Sequence, residues 1–179
     1  MFATIKHRIR DAATVARLSE EAESLARSFG SNSPGSEHYV LAALTLPDRT
    51  ALRVFHNLGL TGEAFSSGMR AQYITSLEHA GLASSPTTSS PSCTAALVGP
   101  KPKLFTAAAS GQALMQRVAA SAVTRRSRPL LGADVLLAAA DEEFSITARA
   151  LRHLGIDPAA LGNAAAQVIE SRASAPSEA

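Results

Sequence analysis

Apolar residues recur at helical intervals along most of the chain. In "DAATVARLSEEAESLARSF" the residues Ala12, Val15, Leu18, Ala22, Leu25 and Ala26 share one face, with charges between them, which predicts an amphipathic helix. It stops at "GSNSPGS", where Gly30, Pro34 and Gly35 punctuate the backbone. A short, strongly apolar helix follows from Ser36 to about Leu46, with Ser36 as the expected N-cap. "LPDRTALRVFHNLGL" predicts a third helix, opened near Asp48 and closed by Gly59. "TGEAFSSGMRAQYITSLEHAG" predicts a fourth, with Gly68 as an awkward mid-helix residue.

From 83 to 103 the pattern dissolves into "ASSPTTSSPSCTAALVGPKPK", whose Ser, Thr and Pro content reads as a linker. Helical periodicity then returns in "TAAASGQALMQRVAASAVTRR", "GADVLLAAADEE", "SITARALRHLG" and "DPAALGNAAAQVIESR", where Pro158 suits a first turn. "GSEHYVLAALTLPDRTALRVFHNLGL" aligns with "GADVLLAAADEEFSITARALRHLGID" with one gap, setting Glu37 beside Asp134 and His38 beside Val135. The expected architecture is all-α: eight helices as two four-helix repeats related by a pseudo-twofold axis. Residues 1–82 form the first repeat, 83–103 the linker, 104–172 the second repeat and 173–179 a disordered tail. Matching glycine-led corners of the repeats are expected to border one groove.

Composition narrows the function. The chain is 46% hydrophobic and only 4% aromatic, with no Trp, which suits closely packed alanine-rich helices. A formal charge of +2 is too small to argue for nucleic acid. Arg125, Arg126 and Arg128, with Lys101 and Lys103, read as a solvated helix end without the aromatics a single-strand binder uses. The lone Cys93 excludes an internal disulfide and fits a reducing compartment. Neither a signal peptide nor a membrane-spanning run is read, so a cytoplasmic protein with no membrane partner is expected.

Several residues carry a resemblance. They are Gly35-Ser36-Glu37-His38 with Leu41 and Leu44, then Val54, Leu58-Gly59 and Ala64; in the second half they are Phe105-Thr106, Gly132-Ala133-Asp134, Leu136-Leu137, Ala150-Leu151, Leu154-Gly155 and Leu161. Their order resembles the N-terminal domain of the ClpA and ClpC unfoldases over residues 12 to 170. That resemblance implies a non-catalytic module that binds polypeptides, adaptors or Clp components. No G-x-x-x-x-G-K-[ST] occurs, so no ATP and no cofactor are expected, and "GPKPK" lacks the required pattern. The expectation is a free-standing member acting as adaptor, decoy or modulator of Clp-dependent proteolysis in bacterial cytosol. The alternative is a diverged peptide- or small-molecule-binding stress regulator without a Clp connection.

The resemblance also implies a site. In the ClpC branch a threonine and the glutamate of the Gly-Thr-Glu-His run receive phosphorylated arginine, the carboxylate taking the guanidinium and helix-start N–H groups the phosphate. Carried over, the candidate binding residues are Ser36, Glu37 and His38 in one half and Phe105, Thr106 and Asp134 in the other. Asp11-Ala12 replaces the Phe-Thr pair in the first half, and the Thr106-to-Asp134 spacing exceeds the family's. The plainer reading assigns these residues to helix capping: Ser36 and Asp134 as N-caps, Glu37 favouring the helix dipole, His38 as a packed or capping imidazole. Phe2 is a further candidate wall of the groove. The five histidines never fall at H-x-x-x-H spacing and no G-x-S-x-G elbow occurs, so no metal site and no enzyme are expected.

Overall fold

The computed structural model describes residues 2–79, 81, 107–125 and 128–174, with side chains from residue 9 onward. The expected linker, Cys93, Phe105, Thr106, Lys101, Lys103, Arg126 and the Phe2 side chain lie outside this set. Among the described residues there are nine α-helices and no strand: α1 Phe2–Ser28, α2 Ser36–Leu44, α3 Thr50–Asn57, α4 Gly62–His79, α5 Ala109–Ala120, α6 Ala122–Arg125, α7 Gly132–Ala140, α8 Ile146–His153 and α9 Pro158–Ser174. The all-α expectation holds. The ninth helix arises because the long helix expected after Thr106 is cut at Ser121. In a continuous helix the Val118 carbonyl would receive the Ala122 N–H. Here it accepts instead from the Ser121 hydroxyl at 2.8 Å and from Arg125 Nη1 at 3.0 Å. At the other end α9 runs to Ser174, into the segment expected to be a disordered tail.

Two short helices form the centre. All nine residues of α2 are buried, and so are seven of the nine in α7. A helix that is apolar around its whole circumference has no solvent face to offer and must be wrapped by others. α2 carries α1, α5 and α7, while α7 carries α9, α5 and α3; α4 packs against α8. Leu18 and Ala22 of α1, Phe55 of α3, Phe65 of α4, Leu114 of α5 and Leu161 of α9 complete a single apolar core. Phe55 and Phe65 meet edge to face at 5.8 Å, fixing α3 against α4.

Small residues allow the close approaches. Gly68 is buried where α4 crosses α8, and a Cβ there would stand 3.4 Å from the Ala150 carbonyl and from Leu154. The residue that weakened the reading of α4 as a helix is therefore the point of helix contact. Gly132 opens α7 against the end of α2, its Cβ position only 3.0 Å from the Ala43 carbonyl and from the Ala51 side chain. The start of α7 thus meets the last turn of α2.

Candidate functional site

The first corner sits where α1 ends and α2 begins. Gly35, not Ser36, is the N-cap of α2. Ser36 is the first helical residue: its N–H donates to Ser110 Oγ at 3.3 Å, and its hydroxyl lies 3.0 Å from that of Thr147. Ser36, Glu37 and His38 are all buried, at 0%, 4% and 0% exposure, so their polar groups need internal partners. Glu37 Oε1 accepts a 2.6 Å hydrogen bond from the Tyr73 hydroxyl of α4. The Glu37 carboxylate folds back over Gly35, where any Cβ would collide with it.

His38 Nδ1 is the contested atom of this corner. It accepts from the Gly35 N–H at 3.1 Å and stands equally far from Glu37 Oε1. One nitrogen cannot accept from the amide and donate to the carboxylate at once. In the capping state the proton is on Nε2, which is buried without a partner. The ring meets Phe29 edge to face at 5.7 Å, and Arg70 lies over the Phe29 ring at 5.1 Å. Burial pushes the Glu37 carboxyl up, but the His38 ring when its Nδ1 donates to the carboxylate instead of capping, the Tyr73 hydroxyl and the residue's own backbone N–H pull it further down, below the ordinary carboxylate range. The same contact and burial push the Tyr73 phenol well above its usual value.

The second corner is built differently. Leu131 is the N-cap of α7, and Asp134 is its third helical residue rather than its N-cap. The Asp134 side chain reaches back to accept from the Leu131 N–H at 2.9 Å, which is the task His38 performs at the start of α2. By this role Asp134 corresponds to His38, and Glu37 to Ala133. The alignment that paired Glu37 with Asp134 is off by one residue here, because the helix starts, not the glycines, keep register.

Asp134 nevertheless holds a guanidinium. Arg128 donates to it through two nearly parallel bonds, Nη1 to Oδ2 at 2.7 Å and Nη2 to Oδ1 at 2.6 Å. This pairing raises the Arg128 pKa further, despite its partial burial. Arg125 is buried as well: it binds the Val118 carbonyl and Ser121 hydroxyl and lies 3.4 Å from Asp11 Oδ2. The expectation of a solvated basic helix end is therefore corrected for Arg125 and Arg128. Sequence reading gave Tyr73 no role and placed Arg128 only in a solvated basic helix end. Tyr73 lies 36 residues from its acid and left no local signal, whereas Arg128 stands six positions from Asp134 at the head of the same turn.

These observations define what the corners can do. Both acids are ionisable, buried and already engaged by the chain's own groups, so an arginine-bearing ligand would have to displace Tyr73 or Arg128. No group of three or more metal-ligating side chains occurs among the described residues. No helix among them is long and apolar enough to cross a membrane. Compared with protein-family models and with curated proteins, the sequence matches none.

Proposed function

We propose that the chain is a non-catalytic polypeptide-binding module built on the two-repeat plan of the Clp N-terminal domain, acting as an adaptor, decoy or modulator of Clp-dependent proteolysis. One observation carries the reading. Ser36, Thr50 and Gly62 begin helices, and Gly132, Ile146 and Pro158, each 96 positions later, begin their counterparts. The contacts are reciprocal in the same register, α3 packing on α9 and α4 on α8, with α2 against α7 between them. His38 and Asp134 perform the same cap at matched positions. A duplicated unit accounts for all three features together.

Titrating fluorescently labelled unfolded casein with the purified chain, and following casein degradation by a Clp ATPase–protease assembly with and without it, tests the proposal. Saturable casein binding and a changed degradation rate are expected. Neither effect at concentrations well above those of the assembly would refute it. A second reading, a diverged binding regulator with no Clp connection, draws support from the internal occupancy of Glu37 and Asp134. Casein or ligand binding without any effect on degradation would select that reading.

A further inference from the structure

α1 and α5 both pack on α2, and a cleft of about 450 Å³ runs between them. Val15 of α1, Met115 and Val118 of α5, and Leu130 give it apolar walls, and Tyr39 of α2 contributes to its lining. Val15 and Met115 are only partly buried, so apolar surface faces the open space. The charged lining groups, Asp11 and Arg125, face each other at 3.4 Å and offset one another.

We propose that this cleft binds an uncharged, mostly apolar small molecule carrying a single hydroxyl or amide group. The size fits a compact ring system: pockets for drug-sized ligands measure about 300–1,000 Å³, and this cleft is at the small end. The charge balance sets the class. An anion would meet Asp11 and a cation Arg125, and neither would find an unopposed counter-charge in apolar walls. A neutral polar head meets no such penalty. Asp11 Oδ1 accepts from the Leu130 N–H at 2.8 Å and Oδ2 lies 3.4 Å from Arg125, and with the side chain 27% exposed the carboxylate retains further lone pairs to accept from a hydroxyl or amide N–H. On the rim, Gln112 donates its amide N–H to the Ala107 carbonyl and keeps its own carbonyl as a further acceptor. Met115 supplies an adaptable thioether wall. None of this depends on the Clp-like reading.

The test is calorimetric titration of the full chain at pH 7 with three probes sharing one apolar body: 2-naphthalenemethanol, 2-naphthoate and 2-naphthylmethylammonium. The alcohol should bind with one-to-one stoichiometry and at least about tenfold more tightly than either ion, since a buried unpaired charge is disfavoured. Ala119→Trp, at an exposed lining position, should fill the cleft and abolish binding while leaving the helical circular dichroism unchanged. Gln116→Trp, also exposed, serves if the first variant fails to fold. Absence of saturable alcohol binding, retained affinity in a folded tryptophan variant, or tighter binding of either ion would overturn the proposal.

Discussion

Replacing Arg128 by alanine tests the second corner quantitatively. The Asp134 side chain is 3% exposed and that of Arg128 28%. Truncation leaves a buried carboxylate with one remaining backbone donor, the Leu131 N–H. Breaking a fully buried pair costs about 3–5 kcal/mol. Solvent reaches the guanidinium here and can partly rehydrate the carboxylate, so we expect roughly 2–3 kcal/mol for Arg128→Ala. Asp134→Asn should cost less, about 1–2 kcal/mol, because the amide oxygen still accepts from Leu131 and the freed arginine can turn to solvent. The double variant should show a coupling of roughly 1.5 kcal/mol. Urea unfolding followed by circular dichroism at pH 7 measures all three, with an unchanged denaturant slope as the check that unfolding stays two-state. In a thermal scan the arginine variant should melt roughly 5–10 °C lower. Raising salt to 1 M should shrink the coupling without removing it, as a partly buried pair is only partly screened. A loss below about 0.5 kcal/mol for Arg128→Ala, with no coupling, would refute the idea that Asp134 depends on that guanidinium.

Two further outcomes follow from other contacts. The folded-state pKa of Glu37 lies below its ordinary value of 4.5, so the stability it contributes is present above that value and is lost as pH falls through the folded pKa. Glu37→Gln should therefore flatten the acid limb of the unfolding free energy below about pH 4.5 relative to the unmutated chain; parallel acid limbs would count against the buried carboxylate. Gly111→Ala should destabilise although alanine is the better helix former by about 1 kcal/mol. Its Cβ would stand 2.5 Å from the Pro34 carbonyl and 2.9 Å from the Tyr39 ring, and a net loss of about 1–3 kcal/mol in urea unfolding is expected.

The helices were legible where local chemistry decides them. Apolar periodicity located the long helices, although α1 begins at Phe2, nine residues before the periodic stretch opens at Asp11, and Gly59, with positive φ, closed α3 as its position implied. What escaped the sequence depends on distant partners. The break at Ser121 requires Arg125 to compete for a backbone carbonyl, which a propensity argument does not register. The one-residue slip between the halves came from matching Gly35 to Gly132, although one precedes its helix and the other begins it. Glu37, His38 and Asp134 were recognised as special, and their chemistry does set the two corners. Their partners were not, since Tyr73 arrives through the packing of α4.

The starts of the two central helices show what each half draws from the other. α7 opens with N–H groups that no residue of its own helix can satisfy. Gly132 N–H donates to Asp48 Oδ2 at 3.0 Å and Ala133 N–H to Thr50 Oγ1 at 2.9 Å, both from the segment that opens α3. Asp48 Oδ1 in turn accepts from the Thr50 N–H and hydroxyl, so one carboxylate caps α3 and α7 together. Arg49, between them, adopts a left-handed φ of 55°, a conformation uncommon for a residue with a Cβ. The opening of α2 is held in the same manner from across the molecule, by Ser110 of α5 and Thr147 of α8. Beside its own cap, His38 or Asp134, each central helix is therefore held at its start by residues of the opposite half. An excised half would lose the apolar cover of its central helix and also these acceptors, so residues 1–82 alone are expected to show little helical circular dichroism; a cooperative, native-like melt of that fragment would refute the argument.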